Sequence, residues 1–149
     1  MAPVMSARAR TYLWIRSAMS GLLGGLIMFA PLAFVSDIYT TFLLLVPNGV
    51  APTLVVWGVG FLLLCAVLGW AAARGKEGLA RVALLSSTIV TAAWMASYVA
   101  AWIVAGMMAP ASIIVWGGLV AIDLVMLRRP LTTPFEDMFI EEQDVLTAR

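Results

Sequence analysis

Long apolar runs free of Lys and Arg alternate along this chain with short polar blocks, and the spacing of those blocks predicts four membrane-crossing helices. The first run, residues 17–35 (SAMSGLLGGLIMFAPLAFV), has the length of about 20 residues that crosses a hydrocarbon core of about 30 Å. It is too long for the apolar part of a secretory signal, and two more basic-flanked hydrophobic units follow it. In the next segment, SDIYTTFLLLVPNGVAP, Asp37, Pro47, Asn48, Gly49 and Pro52 surround only about nine apolar-leaning residues, which cover about 14 Å as helix. That segment cannot cross, and reads as an extracytoplasmic loop with a short interfacial or re-entrant helix. The second span is expected over 52–73, with Pro52 in a first turn where its missing N–H costs nothing. The stretch between Arg81 and Arg128 has room for two crossings and not three, which places spans at 82–106 and 111–127 around a turn at Met107–Pro110. The expected fold is all-α: an integral membrane four-helix bundle over 1–129, followed by an acidic tail over 130–149.

The basic residues then orient the bundle. Arg8, Arg10 and Arg16 precede the first span, Arg74, Lys76 and Arg81 separate the second from the third, and Arg128 and Arg129 follow the fourth. Short loops rich in Lys and Arg stay in the cytoplasm, so both termini are expected inside a multi-pass protein of a bacterial cytoplasmic membrane. Aromatic rings agree, with Tyr12, Trp14 and Trp70 near the inner boundary and Tyr39, Trp57, Trp102 and Trp116 toward the outer one. Trp94 falls mid-span and is expected to fill space between helices.

Composition strengthens this picture. The chain is 63% hydrophobic and 11% charged with mean hydropathy +1.02, too little polar surface for a water-soluble domain of this size. A net charge of +1 offers nothing to a nucleic acid. The single cysteine, Cys65, cannot form an intramolecular disulfide, and the lack of histidine removes the commonest general base and metal ligand together. No motif specifies a reaction, so no catalytic, cofactor-binding or metal residue is assigned, no cofactor is expected, and the protein is read as not an enzyme.

Small residues recur every fourth position at Ser17, Gly21 and Gly25, and again at Ala93, Ser97, Ala101 and Ala105. Lipid tails give little hydrophobic drive between helices, so such residues mark where backbones approach closely, within one subunit or between subunits. Asp123, in GGLVAIDLVMLRRP, is the one ionisable residue clearly inside a span. A bare carboxylate at the bilayer centre costs at least about 3 kcal/mol, so Asp123 is either half of an ion pair with Arg128, Arg129, Arg81 or Arg16 or a proton or cation site.

The tail, LTTPFEDMFIEEQDVLTAR, opens with Thr133 as a cap, Pro134 in the first helical position and Glu136 closing a capping box. Phe135, Met138 and Phe139 share one side of the amphipathic acidic helix this predicts, and Glu136, Asp137, Glu141, Glu142 and Asp144 make it repellent to anionic lipid. A protein surface suits it better: the basic Arg74–Arg81 loop of the same or a neighbouring subunit, or a further component of a larger membrane complex.

In gross plan, with short helices, small-residue faces and a charged cytoplasmic tail, the chain resembles small multi-spanning phage holins. That likeness is one of architecture. It implies a homo-oligomer that permeabilises the cytoplasmic membrane or regulates such a lesion. A non-catalytic accessory subunit that scaffolds a larger complex is the alternative, and a small transporter or channel a further one. Eight arginines to one lysine, with abundant Ala and Gly, fit a GC-rich genome such as that of an actinobacterium or one of its phages.

Overall fold

The computed structural model describes residues 5–30, 50–105, 110–128 and Leu131. They form four α-helices: α1 (Ala7–Phe29), α2 (Val50–Arg74), α3 (Glu77–Ala105) and α4 (Pro110–Arg128). There is no strand among the described residues, and each helix is long and apolar enough to cross a membrane, the architecture of a multi-pass membrane protein. The outward faces carry large apolar side chains, among them Leu22, Val56, Leu63, Ile89 and Ile114, as a protein solvated by lipid requires.

Helix α1 starts ten residues before the expected first span. Its N-cap is Ser6, whose backbone is extended and whose hydroxyl accepts from the Ala9 N–H at 3.3 Å. Arg8, Arg10 and Arg16 therefore lie within the helix instead of ahead of it. Arg16 does not end the apolar run, because its charge is met inside the bundle. The helix stops at Phe29, with Ala30 closing the last turn onto the Leu26 carbonyl and Pro31 next in sequence. Residues 31–35 of the expected span, and the short outer segment at 38–46, lie outside the described residues.

Helix α2 ends on Gly75, whose positive φ of 63° lets its N–H turn back to the Ala71 carbonyl. Only Gly75 and Lys76 separate α2 from α3, which begins with Glu77 in its first turn, where a carboxylate complements the helix dipole. Thus α3 starts five residues earlier than expected: Arg81 is held by Glu77 one turn back and donates at 3.0 Å to the Leu127 carbonyl, so it sits in the helix. Pro110 opens α4 and Arg128 lies in its last turn.

The four helices form two antiparallel pairs. In the first pair α1 runs down α2, with Gly69 facing Trp14 and Ser17, Gly21 facing Cys65, and Gly24 facing Leu62 and Gly58. Backbones come so close at Gly24 that a Cβ there would sit 2.9 Å from the Gly58 carbonyl oxygen and the Leu62 nitrogen. In the second pair α3 and α4 meet at Arg81–Leu127, Ser87–Asp123 and Met95–Gly117.

Backbone bonds gather three chain segments at one end of the bundle: Met5 N–H to the Gly75 carbonyl at 3.0 Å, and Ser6 N–H to the Leu131 carbonyl at 2.9 Å. The start of α1, the α2–α3 turn and the residues after α4 thus share an end. Every exposed charge among the described residues lies there.

Candidate functional site

Between the two helix pairs lie two zones of different chemistry. Toward the uncharged end the contact is aromatic. Trp94 of α3 is buried, with Trp57 at 4.9 Å and Phe61 at 5.4 Å between ring centroids, and Trp116 and Tyr98 at 6.5 and 6.1 Å; all but the more tilted Trp57 pair are near-perpendicular. Edge-to-face packing of this kind adds about 0.5–1.5 kcal/mol per pair to the area it buries. Trp94 is a space-filling residue, as expected from its mid-span position. Trp57 and Trp116, expected at the outer membrane boundary, instead turn inward to pack with it, whereas Trp102 is exposed.

Toward the charged end the contact is polar. Asp123 of α4 has no solvent-exposed surface, and Arg16 of α1, about 14 Å along the helix from Ala7, is 2% exposed. The Arg16 Nη2 lies 2.9 Å from Asp123 Oδ2 and its Nε 3.2 Å from Oδ1, a two-pronged pair that matches the planar guanidinium to the carboxylate. The Tyr12 hydroxyl, one turn earlier on α1, also donates to Oδ1. From α3, Ser87 Oγ donates to Oδ2 at 2.9 Å while accepting from Arg16 Nη2 at 2.7 Å, and Thr91 Oγ1 accepts from the same nitrogen at 3.0 Å. Each carboxylate oxygen therefore receives two donors, and three helices are joined through one charge.

Sequence chemistry explains why these residues meet. Tyr12 and Arg16 are four apart on α1, and Ser87 and Thr91 are four apart on α3, so each pair projects from one face of its helix. An uncompensated charge here would cost several kcal/mol, and the site supplies both countercharge and neutral hydrogen-bonding groups. Saturation of both oxygens leaves the carboxylate no open position for a further ligand in this conformation.

Of the four arginines considered as partners for Asp123, Arg16 makes the pair. Arg81 is engaged by Glu77, Arg128 is exposed in the last turn of α4, and Arg129 lies outside the described residues. As partners of Asp123, Ser87 and Thr91 are not marked out by the sequence, and Tyr12 reads there only as a ring near the inner boundary. Their only signal was the four-residue spacing of polar side chains within otherwise apolar runs.

The small-residue stripes are placed unevenly. Ser17 donates to the Cys65 carbonyl at 2.8 Å and Gly21 meets the Cys65 sulfur, but a Cβ at Gly25 would find nothing within 4 Å. The close approach is made by Gly24, one residue earlier, because the buried face of α1 follows Leu13, Ser17, Ser20, Gly24 and Ile27 with steps of three and four. On α3, Ser97 is buried whereas Ala93 faces outward, so the strict four-residue stripe is not the buried seam. That seam runs through Ala80, Ala83, Leu84, Ser87, Thr91, Trp94 and Tyr98. The side chains of Ala101 and Ala105, and the tail residues Phe135, Met138 and Phe139, lie outside the described residues.

Among the described residues, no group of three or more His, Cys, Asp or Glu side chains comes together that could hold a metal ion. No protein-family model, curated protein or solved structure matches this chain.

Proposed function

We propose that this protein is a non-enzymatic component of a bacterial cytoplasmic membrane that self-associates and permeabilises the membrane or regulates such a lesion, in the manner of small multi-spanning holins. The observation that carries the reading is the outer face of α4. Within the subunit the helix turns Asp123 inward, while Ala111, Val115, Gly118, Ile122 and Val125, spaced four, three, four and three apart, are exposed. A Cβ at Gly118 would meet nothing within 4 Å. Glycine lowers helix stability and packs no better against acyl chains than alanine would, whereas a second α4 can use the close approach it allows. The seam has the spacing of a left-handed helix pair. A second copy is the occupant that fits it.

Inducible expression in a bacterial host, followed with a potential-sensitive dye, tests the reading. Collapse of the membrane potential, and its loss in Gly118→Leu at unchanged membrane levels, are the expected results. A protein that is inert alone and copurifies with other membrane components would instead be an accessory subunit, the role for which the Phe135, Met138 and Phe139 side of the tail would serve as the docking element. Asp123→Asn addresses the transporter reading. The amide keeps hydrogen bonds to this network, so permeabilisation should persist with lowered stability, whereas loss of activity in a normally folded protein would favour a proton or cation site.

With the charged end in the cytoplasm, reporters fused at the amino terminus, at the Gly75–Lys76 turn and after Leu131 should all report cytoplasm. One near Asn48 should report the exterior. A cytoplasmic signal at Asn48 contradicts this orientation.

A further inference from the structure

We propose that the groove between α1 and α2 at the charged end binds the headgroup of an anionic glycerophospholipid. Two ladders meet there, each with a cation one helical turn beyond a tryptophan. On α1, Arg10 lies four residues before Trp14. On α2, Arg74 lies four residues after Trp70, with its guanidinium carbon 5.7 Å from the Trp70 ring centroid. Because the helices are antiparallel, the ladders are side by side: the Trp14 ring approaches Gly69, and the Arg10 guanidinium approaches Gly75, between Arg74 and Lys76. The glycines matter for this arrangement. A side chain at Gly75 would collide with Arg10, and one at Gly69 would press on Trp14 and Ser17.

The resulting surface suits one chemistry. Arg10, Arg74 and Lys76 are exposed cations gathered at the end of the bundle, where a phosphodiester would sit. Trp14 and Trp70, 48% and 53% exposed, lie one turn deeper at the level of the glycerol and first methylenes. Val67, three residues before Trp70 on α2, adds exposed apolar surface beneath that ring. Of the acids described toward this end, Glu77 is committed to Arg81 and Asp123 is buried against Arg16, so the field at the exposed surface is positive. A zwitterionic headgroup would bring its own cation against these three. The inference depends on the membrane location alone and not on permeabilisation.

The test uses the full chain in nanodiscs of phosphatidylcholine doped with either phosphatidylglycerol or further phosphatidylcholine, brominated on the acyl chain, with quenching of tryptophan fluorescence as the readout. Phosphatidylglycerol should bind at least about fivefold more tightly, since one cation near a membrane surface contributes about that factor. The preference should shrink with salt. Arg10→Gln/Arg74→Gln should bring the ratio close to one, Lys76→Gln should lower it partway, and Arg128→Gln, on α4, should leave it unchanged. Trp14→Phe/Trp70→Phe should remove the selective part of the quenching and leave the background from the other tryptophans. Equal quenching by the two lipids, or a preference untouched by the double arginine variant, overturns the proposal. So does a preference that emerges only when residues 132–149 are deleted, which would make the acidic tail the occupant. Displacement of the lipid by soluble glycerol phosphate at similar concentration would also overturn it, since that describes a general phosphate site.

Discussion

The contact within the first helix pair and the contact between the two pairs solve the same problem by opposite means. Along α1 and α2 the association is dry and made of small residues: Gly21, Gly24, Gly58 and Gly69 bring backbones together, and dispersion does the rest. Between the pairs, Arg16 and Asp123 meet with Tyr12, Ser87 and Thr91, and the aromatic rings around Trp94 close the other half. Glycine packing tolerates no added volume but has nothing to lose in charge. The polar contact is the reverse: it fixes register through directed bonds, and its weakness is the charge left behind when one member goes.

The largest effect should therefore come from removing one charge. Asp123→Ala leaves the Arg16 guanidinium buried without its countercharge, and a loss of about 3–5 kcal/mol is expected in a denaturation titration in mixed micelles. The doubly substituted Arg16→Met/Asp123→Leu removes both charges and should recover most of that loss. If the double variant is as unstable as Asp123→Ala, the pair does more than cancel charge, and directed hydrogen bonding supplies the stability.

Next in size is Gly24→Ala. Its new Cβ would meet backbone atoms of Gly58 and Leu62, which cannot rotate away, so α1 and α2 must separate along the dry contact. A cost of about 2 kcal/mol is expected in the same titration. A neutral result would show that the two helices are not held at the observed distance.

These two contacts were unequally legible in the sequence. Four spans could be read from run length, because the bilayer sets a length that apolar segments must meet. An acid within an apolar run identified Asp123 without knowledge of the fold, since the cost of the charge is local. Its partner was harder. Arg16 follows other arginines in sequence and reads with them as a cytoplasmic block, yet its tenth place in α1 carries it into the bundle. Only the pairing of helices decides which arginine is close enough. The glycine stripe divides for a related reason: GxxxG picks out Gly21 and Gly25, and Gly21 meets α2, but the buried face of α1 advances by threes as well as fours, so the closest approach within the subunit falls at Gly24. Likewise Trp57 and Trp116 occupy interface depths by residue count, and which way they face depends on neighbours that residue count does not reveal.

A smaller effect separates geometry from charge in the polar contact. Ser87→Ala keeps the ion pair but deletes a donor to Asp123 and an acceptor for Arg16, while Thr91 and Tyr12 remain. Hydroxyl bonds between membrane helices are worth about 1 kcal/mol or less, because the separated helices find other partners. A loss of that order is expected in the titration. One approaching that of Asp123→Ala would mean that the serine relay, more than the two-pronged pair, holds α3 to the site.

The smallest effect, and the sharpest contrast, lies one residue from the second largest. Gly25→Ala adds the same methyl group as Gly24→Ala, one position further along the same helix. A rotation of about 100° carries that methyl from the α2 backbone into open space. With no atom to displace and a better helix former in place, the subunit should change by no more than about 0.5 kcal/mol, in the stabilising direction. Gly25→Leu extends the test beyond the subunit, because bulk there cannot disturb the α1–α2 contact. If it lowers the oligomeric state measured by chemical crosslinking in membranes while subunit stability holds, Gly25 belongs to a contact between copies. If both measurements stay unchanged, Gly25 faces lipid, and self-association rests on α4 alone.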